Sequence, residues 1–190
     1  MRPASLFICL FAGLVAACGH KIGDACAVSS DCSSDGTRVC DTYSPGGSCT
    51  IEGCDFGTCP EEALCVRFFP ALQNATSCEE NPASCQPDEI CTVGGLCAPR
   101  SIELRFCMLS CGDDGDCRDG YECRVEEVMK KHGGEPVPDP TIPTADQGEP
   151  PSFCAGRKPC LTNNDCDPGD RCDTGSRICF PTSSKPLSAN

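Results

Sequence analysis

Tryptophan is absent from this chain of 190 residues, tyrosine occurs twice (Tyr43 and Tyr121) and phenylalanine eight times. Two of the eight phenylalanines, Phe7 and Phe11, lie in the first eleven residues. So few large apolar side chains cannot offset the roughly 1–2 kcal/mol of backbone entropy that each ordered residue costs. An ordinary single-core domain is thereby excluded. Histidine also occurs only twice (His20, His132), and no Cys-x-x-Cys pair is present. Zinc sites usually need one or the other, so spacing argues against metal. Gly-x-Ser-x-Gly, His-Glu-x-x-His and phosphate-cradling glycine loops are missing too, and with them the common hydrolase, metalloprotease and nucleotide-binding chemistries. Cations are scarce, with 15 Lys+Arg against 28 Asp+Glu. That balance disfavours nucleic acid, whose phosphates need a basic surface. No apolar run approaches the roughly 20 residues of a membrane-spanning helix.

What the chain has instead is cysteine: 22 residues, alongside 19 glycines and 17 prolines. Such cysteine density marks a disulfide scaffold made in an oxidising compartment. Bridges restrict the unfolded state by about 2–4 kcal/mol each in favourable cases and so replace the missing core.

The N-terminus is consistent with that compartment. Met1–Arg2 is a cationic start, and Leu6–Ala17 (LFICLFAGLVAA) is an apolar run of twelve, the length of a signal-peptide core. It ends in Val15-Ala16-Ala17-Cys18. These residues resemble a bacterial lipobox: an aliphatic residue, two small ones, then cysteine. The resemblance implies a leader at 1–17, a diacylglyceryl thioether on Cys18 and cleavage just before it. Two or three acyl chains, palmitate among them, make a stable anchor. Gly19, rather than Asp, follows the cysteine, which in such lipoproteins permits export to the outer membrane. Ordinary signal peptidase would cut the same bond and leave Cys18 a thiol. Parity separates the two. Cys9 leaves with the leader, so 21 cysteines remain, an odd number. A lipidated Cys18 leaves twenty that can all pair. Losing Arg2 with the leader leaves 14 cationic against 28 acidic residues, a net charge of −14.

Residues 18–25 read as a short tether. Beyond them a unit recurs: Cys, five or six residues, Cys, five to seven residues, Cys. Cys26, Cys32, Cys40 and Cys49 form a four-cysteine module at 26–49. Cys78, Cys85, Cys91 and Cys97 form a second group, and Cys160, Cys166, Cys172 and Cys179 a third, within a C-terminal module at 154–181. Cys54, Cys59, Cys65, Cys107, Cys111, Cys117, Cys123 and Cys154 remain. All but Cys154 are assigned to a larger central module, 54–123, that carries the 78–97 unit as an insertion. Asp precedes the middle cysteine at Asp31, Asp116 and Asp165, and Gly follows at Gly36, Gly120 and Gly169, a turn-forming pattern. The expected fold class is small disulfide-rich modules in tandem, with little regular structure, short β-hairpins and no common hydrophobic core. Phe68, Phe69, Phe106, Tyr121 and Phe153 flank the central cysteines and are the candidates for such packing as exists. One short helix is expected near 122–132, where Val125, Val128 and Met129 share a face and Glu126–Lys130 and Glu127–Lys131 stand at i, i+4. Residues 124–153 then read as that helix followed by a proline-rich, acidic, solvated linker, and 182–190 as a disordered tail.

Chemistry is hard to place on these residues. His132 reads as a solvated cation at a helix end. Asp113, Asp114, Asp116 and Asp119, and Asp165, Asp167, Asp170 and Asp173, are acidic clusters, but neither has EF-hand spacing. Turn formation and solubility account for them. CVRFFP at 65–70 is the most apolar stretch after the leader; it packs on bridges or meets a partner. Asn74-Ala75-Thr76 is a glycosylation sequon that matters only in a eukaryote. No catalytic residue, metal ligand or cofactor is assigned.

The units SSDC…GTRVC (29–40) and NNDCDPGDRC (163–172) resemble cysteine-rich repeats of Gram-negative bacteria, including myxobacterial surface lipoproteins. They are also similar to the Dickkopf N-terminal cysteine-rich module of animals, with its Cys-x-x-x-x-Asp-Cys opening. The resemblance implies an interaction or structural role outside the cytoplasm and carries over no receptor. The sequence thus leads to a non-enzymatic protein of the cell envelope, lipid-anchored at the outer membrane, with twenty structural cysteines and a binding or surface-structural role. Its partners are the membrane, through the anchor, and a protein not identified, without nucleic acid. The alternatives are a freely secreted binder or inhibitor and an envelope redox protein or enzyme. A four-cysteine unit allows three pairings; for Cys160–Cys179 the expectation is first-to-third and second-to-fourth.

Overall fold

A computed structural model describes residues 20–182 apart from residues 71, 73, 144 and 145. The leader, Cys18 and the tail from residue 183 lie outside the described residues. Secondary structure is sparse: a four-residue helix α1 (Ser29–Cys32), then strands β1 (Val39–Asp41), β2 (Ser48–Thr50), β3 (Ala63–Phe68), β4 (Glu89–Cys91), β5 (Cys97–Pro99), β6 (Leu104–Leu109) and β7 (Tyr121–Arg124). Helix α2 (Glu126–His132), β8 (Glu135–Pro136), β9 (Phe153–Gly156), β10 (Asp170–Asp173) and β11 (Ile178–Pro181) complete it.

One rule organises the chain. The twenty cysteines from Cys26 to Cys179 form ten disulfides, always first-to-third and second-to-fourth within a unit of four: 26–40 and 32–49, 78–91 and 85–97, 160–172 and 166–179. The same rule holds for 54–65 with 59–107 and for 111–123 with 117–154. In every unit the third and fourth cysteines face each other across an antiparallel pair: Cys40 and Cys49, Cys65 and Cys107, Cys91 and Cys97, Cys123 and Cys154, Cys172 and Cys179. Side chains directly opposed in a ladder point to one face. The loop carrying the first two cysteines lies across that face, and each opposed cysteine reaches back to it.

The two units with distant fourth cysteines differ only at the hairpin tip, where added chain is tolerated. The β3–β6 tip holds the entire 78–97 unit; the β7–β9 tip holds α2 and β8. The region 54–123 is therefore two modules, and Cys154 closes the second of them instead of opening the C-terminal one. Sequence spacing could not show this, because the third-to-fourth interval is the one that varies.

Three Asp residues build the repeated loop. Asp31, Asp116 and Asp165 each accept the amides four and three residues upstream, at 2.8 and 3.1 Å, 2.7 and 3.3 Å, and 2.8 and 2.8 Å. These amide bonds hold all three carboxyls below the usual carboxylate range. Two positions earlier, Ser29, Asp114 and Asn163 accept the amide of the third cysteine at 3.1, 2.8 and 2.8 Å. The acidic residues thus organise backbone, as turn chemistry requires.

The modules do share buried apolar surface, contrary to the expectation of none. One cluster joins Ile22, Val137 and the sulfurs of Cys54, Cys65 and Cys107; another joins Val66, Met129, Phe153 and Ala155, with Phe68 and Met108 against it. Two segments expected in solvent supply part of this. Ile22, in the expected tether, is 1% exposed, and Gly23 and Asp24 exchange backbone hydrogen bonds with Cys49 at 2.9 and 2.8 Å. The start of the expected linker is β8, paired with β3 on the side opposite β6, and Val137 donates to the Cys65 carbonyl at 2.8 Å. An apolar residue every few positions is enough to dock such a segment when neighbouring modules offer a groove. Thr182, assigned to the tail, bonds to the Gly169 carbonyl at 3.0 Å. The helix begins later than expected. Residues 121–124 extend along β9, because Cys123 must face Cys154, and helix forms only from Glu126 with Met129 buried.

Candidate functional site

Two of the junctions between modules gather polar groups or leave open space, one ionic and one apolar. The ionic junction centres on His132. Its imidazole is only 13% exposed, with Nδ1 2.6 Å from Glu122 Oε1 and Nε2 2.7 Å from Asp167 Oδ2. The Glu122 contact first, and Asp167 with it, raises its pKa above the ordinary histidine value against the opposing effect of burial. Asp167 is in turn lowered by Lys158, 2.9 Å away, and by His132. The expectation of a solvated helix-end cation is corrected: α2 delivers His132 into a buried clasp between β7 and the last module. Arg124 completes the floor, bonding Glu122 at 3.1 Å and the carbonyls of His132, Gly133 and Gly156. Arg157 reaches Asp114 at 2.6 Å and Glu122 at 3.7 Å. With both ring nitrogens of His132 held by carboxylates, the imidazole has no free face for a nucleophile. Of the Asp clusters, Asp113, Asp114, Asp116, Asp165, Asp167 and Asp173 are similarly committed to amides, Arg157, Lys158 and His132.

Nothing in the sequence marked this cluster. Glu122 and His132 are separated by a strand end and a helix, Asp167 lies 35 residues beyond His132, and each alone reads as surface.

The apolar junction lies where the first, second and fourth modules converge. The turn Ser44–Gly47 between β1 and β2 is clamped by Arg118, which donates to the carbonyls of Pro45 (3.1 Å) and Gly47 and to the Tyr121 hydroxyl, its guanidinium 4.0 Å over the Tyr121 ring. Arg118 Nε and Arg157 Nε are buried without hydrogen-bond partners among the described residues; ring contacts, with Phe180 5.3 Å from Arg157, partly offset that. Two glycines permit the approach. A Cβ on Gly47, at φ +66°, would fall 1.9 Å from the Cys26 carbonyl oxygen, and one on Gly156 would fall 2.6 Å from Pro45 Cδ.

Beneath the turn is a cavity of about 350 Å³. Phe68, Phe106, Met108 and Ala155 form its apolar wall, and Ser48 and Thr50 of β2 face it. Phe68 and Phe106 stand 6.1 Å apart, tilted by 59°, and Phe153 meets Phe68 edge-on from behind. Of the five aromatics expected to pack, Phe153 and Tyr121 are buried, while Phe68 and Phe106 are half-exposed at this cavity and Phe69 lies outside it, 5.9 Å from the Arg67 guanidinium. Tyr43, at the rim, is wholly exposed. Residues 65–68 of the CVRFFP stretch lie in β3, the central strand of the sheet β6-β3-β8; Cys65 and Val66 are buried there, Phe68 and Phe69 are half-buried and Pro70 is exposed.

Within each module the two bridges cross so closely that sulfurs such as those of Cys26, Cys32 and Cys40 lie within 4.8 Å of one another. Sulfurs already paired in disulfides supply no thiolate to a metal. No protein family, curated protein or solved structure matches the chain. Ten bridges place the folded protein in an oxidising, extracytoplasmic compartment. Among the described residues no helix is long and apolar enough to cross a membrane.

Proposed function

We propose that this is a lipid-anchored protein of a bacterial cell envelope, a non-enzymatic binding module held at the outer membrane through Cys18. The carrying observation is the bridge inventory. All twenty cysteines from Cys26 onward bond to one another. Once Cys9 leaves with the leader, Cys18 is the odd cysteine, and it stands at the lipobox position. The repeats' likeness to those of bacterial surface lipoproteins supports the same reading.

Docking of residues 20–25 adds a consequence. One residue separates Cys18 from His20. Two peptide steps span at most about 7 Å, so the anchor holds the folded body close to the bilayer. A binding role is favoured over catalysis because the buried ionisable groups are spent on joining modules, whereas the apolar junction leaves an open cavity.

Intact mass of the native membrane-extracted protein, alkylated without reductant, tests the reading. A chain starting at Cys18 with a diacylglyceryl increment and no alkyl adduct is expected. A chain starting at Cys18 without lipid, carrying one adduct or a disulfide to a second copy, would replace the anchor by a free thiol.

A further inference from the structure

We infer that the cavity between β2, β3, β6 and β9 is a binding site for a small, uncharged, mostly apolar ring compound bearing one hydroxyl or carbonyl group. The inference rests on the binding role proposed above and supplies its site and ligand class.

Size comes first. About 350 Å³ lies at the lower end of the roughly 300–1,000 Å³ of small-molecule sites, so a two-ring compound fits and a long chain does not. The wall explains the preference for a ring. Phe68 and Phe106 present tilted faces, and Met108 adds a polarisable thioether, which suits flat π-systems.

Charge comes next. Two guanidinia border the cavity, but neither is free for an anion. Arg124 is spent on Glu122 and three carbonyls, and Arg157 on Asp114 and Glu122. Asp41, the nearest carboxylate on the rim, accepts the Tyr43 amide at 3.0 Å and the Ser44 hydroxyl at 2.6 Å. An ionic ligand would lose its hydration with no unpaired counter-charge to receive it.

One polar group reachable from the cavity lacks a protein partner; Arg157 Nε, which also lacks one, is fully enclosed. Ser48 is 4% exposed, and its hydroxyl makes no hydrogen bond among the described residues. Strand alternation fixes its direction. Cys49 turns to Cys32, so Ser48 and Thr50 share the opposite face, where both border the cavity. Thr50 is satisfied by the Cys107 carbonyl at 2.8 Å, which leaves Ser48 alone. Its oxygen is not enclosed, since Arg118 Nε and Arg157 Nε are the enclosed unpaired side-chain atoms among the described residues; it is reachable from the cavity, and a ligand hydroxyl or carbonyl would exchange its hydration for a direct hydrogen bond. Tyr43 stands wholly exposed beside the opening.

The test uses the full chain with Cys18→Ser, which carries no lipid whether or not the natural protein does, so failure here is separate from failure of the anchor. Naphthalene and 2-naphthol are titrated while tyrosine emission is followed; the chain has no tryptophan. Expected are saturable one-to-one binding of both, 2-naphthol tighter by about 2–10-fold, and loss of that advantage in Ser48→Ala. Met108→Trp, which fills the cavity, should weaken both at least about tenfold, the cost of about 1.4 kcal/mol of lost contact. Should Met108→Trp fail to form its ten bridges, the Ser48→Ala comparison alone decides. Absence of saturable binding, equal affinity of the two probes, a naphthol advantage that survives Ser48→Ala, or tighter binding of a naphthoate than of 2-naphthol overturns the inference.

Discussion

Replacing Ile22 by alanine separates a docked N-terminus from a loose tether. Ile22 is 1% exposed and packs on Val137 and on the sulfurs of Cys54, Cys65 and Cys107. The pocket around it is stapled by two disulfides, 54–65 and 59–107, so its walls cannot collapse into the space left behind. Large-to-small changes at sites that cannot relax cost about 2–5 kcal/mol. About 3 kcal/mol is expected here. With a urea slope of about 1–3 kcal/mol/M, the midpoint should fall by about 1–3 M. Lys21→Ala, one position away and exposed, is the control and should stay within about 0.5 kcal/mol. Equilibrium urea unfolding with bridges intact, followed by near-ultraviolet circular dichroism of the tyrosines and disulfides, reads both. If Ile22→Ala unfolds at the same urea concentration as Lys21→Ala, the docking of residues 20–25 is refuted, and the proposed closeness of the body to a membrane loses its support.

His132→Gln should change how stability depends on pH. The folded imidazole has a raised pKa, so the stabilisation from its charge is complete below the unfolded value of about 6.5 and disappears as pH rises through the folded value. The wild type's melting advantage over the variant should therefore shrink from pH 6 to pH 9; an advantage that grows over that range contradicts the clasp. Asp167 has a lowered pKa and acts oppositely: its contribution is present above about pH 3.9 and fades only as pH falls through the folded value. Gly47→Ala places a Cβ 1.9 Å from the Cys26 carbonyl oxygen at a positive φ, so secretion yield and correct pairing of Cys26–Cys40 should collapse in peptide maps; normal yield and pairing would show that the turn can move away. Paired removal of one bridge, Cys166→Ala with Cys179→Ala, should cost about 2–4 kcal/mol and expose residues 160–182 to protease while the other nine bridges persist; cleavage spreading evenly through the chain would mean that the modules do not open separately.

Fold class was legible because cysteine spacing carries it. Units 26–49, 78–97 and 160–179 are contiguous, and the Asp beside the middle cysteine is a local device whose hydrogen bonds run only three or four residues. The aromatic shortage and the cysteine excess together required bridges in place of a large core, whatever the topology. Other features were not legible because they depend on contacts between distant segments. Cys107 and Cys154 are fourth cysteines displaced by insertions, and their membership follows from facing Cys65 and Cys123 across a ladder. Ile22 and Val137 looked like isolated apolar residues in polar segments until one groove received both. His132 had the local context of a helix end, yet its ionisation is set by Glu122 and by Asp167 of another module.

By itself the sequence determined the covalent strategy, the oxidising compartment and the repeated loop, because cysteine count, turn chemistry and local hydrogen bonds act over a few residues. Tertiary structure decided how many modules there are, which polar segments are buried, and that a ring-lined cavity opens where three modules converge. Those follow from surfaces brought together across tens of residues, where burial and paired charge, which no short window contains, set the outcome.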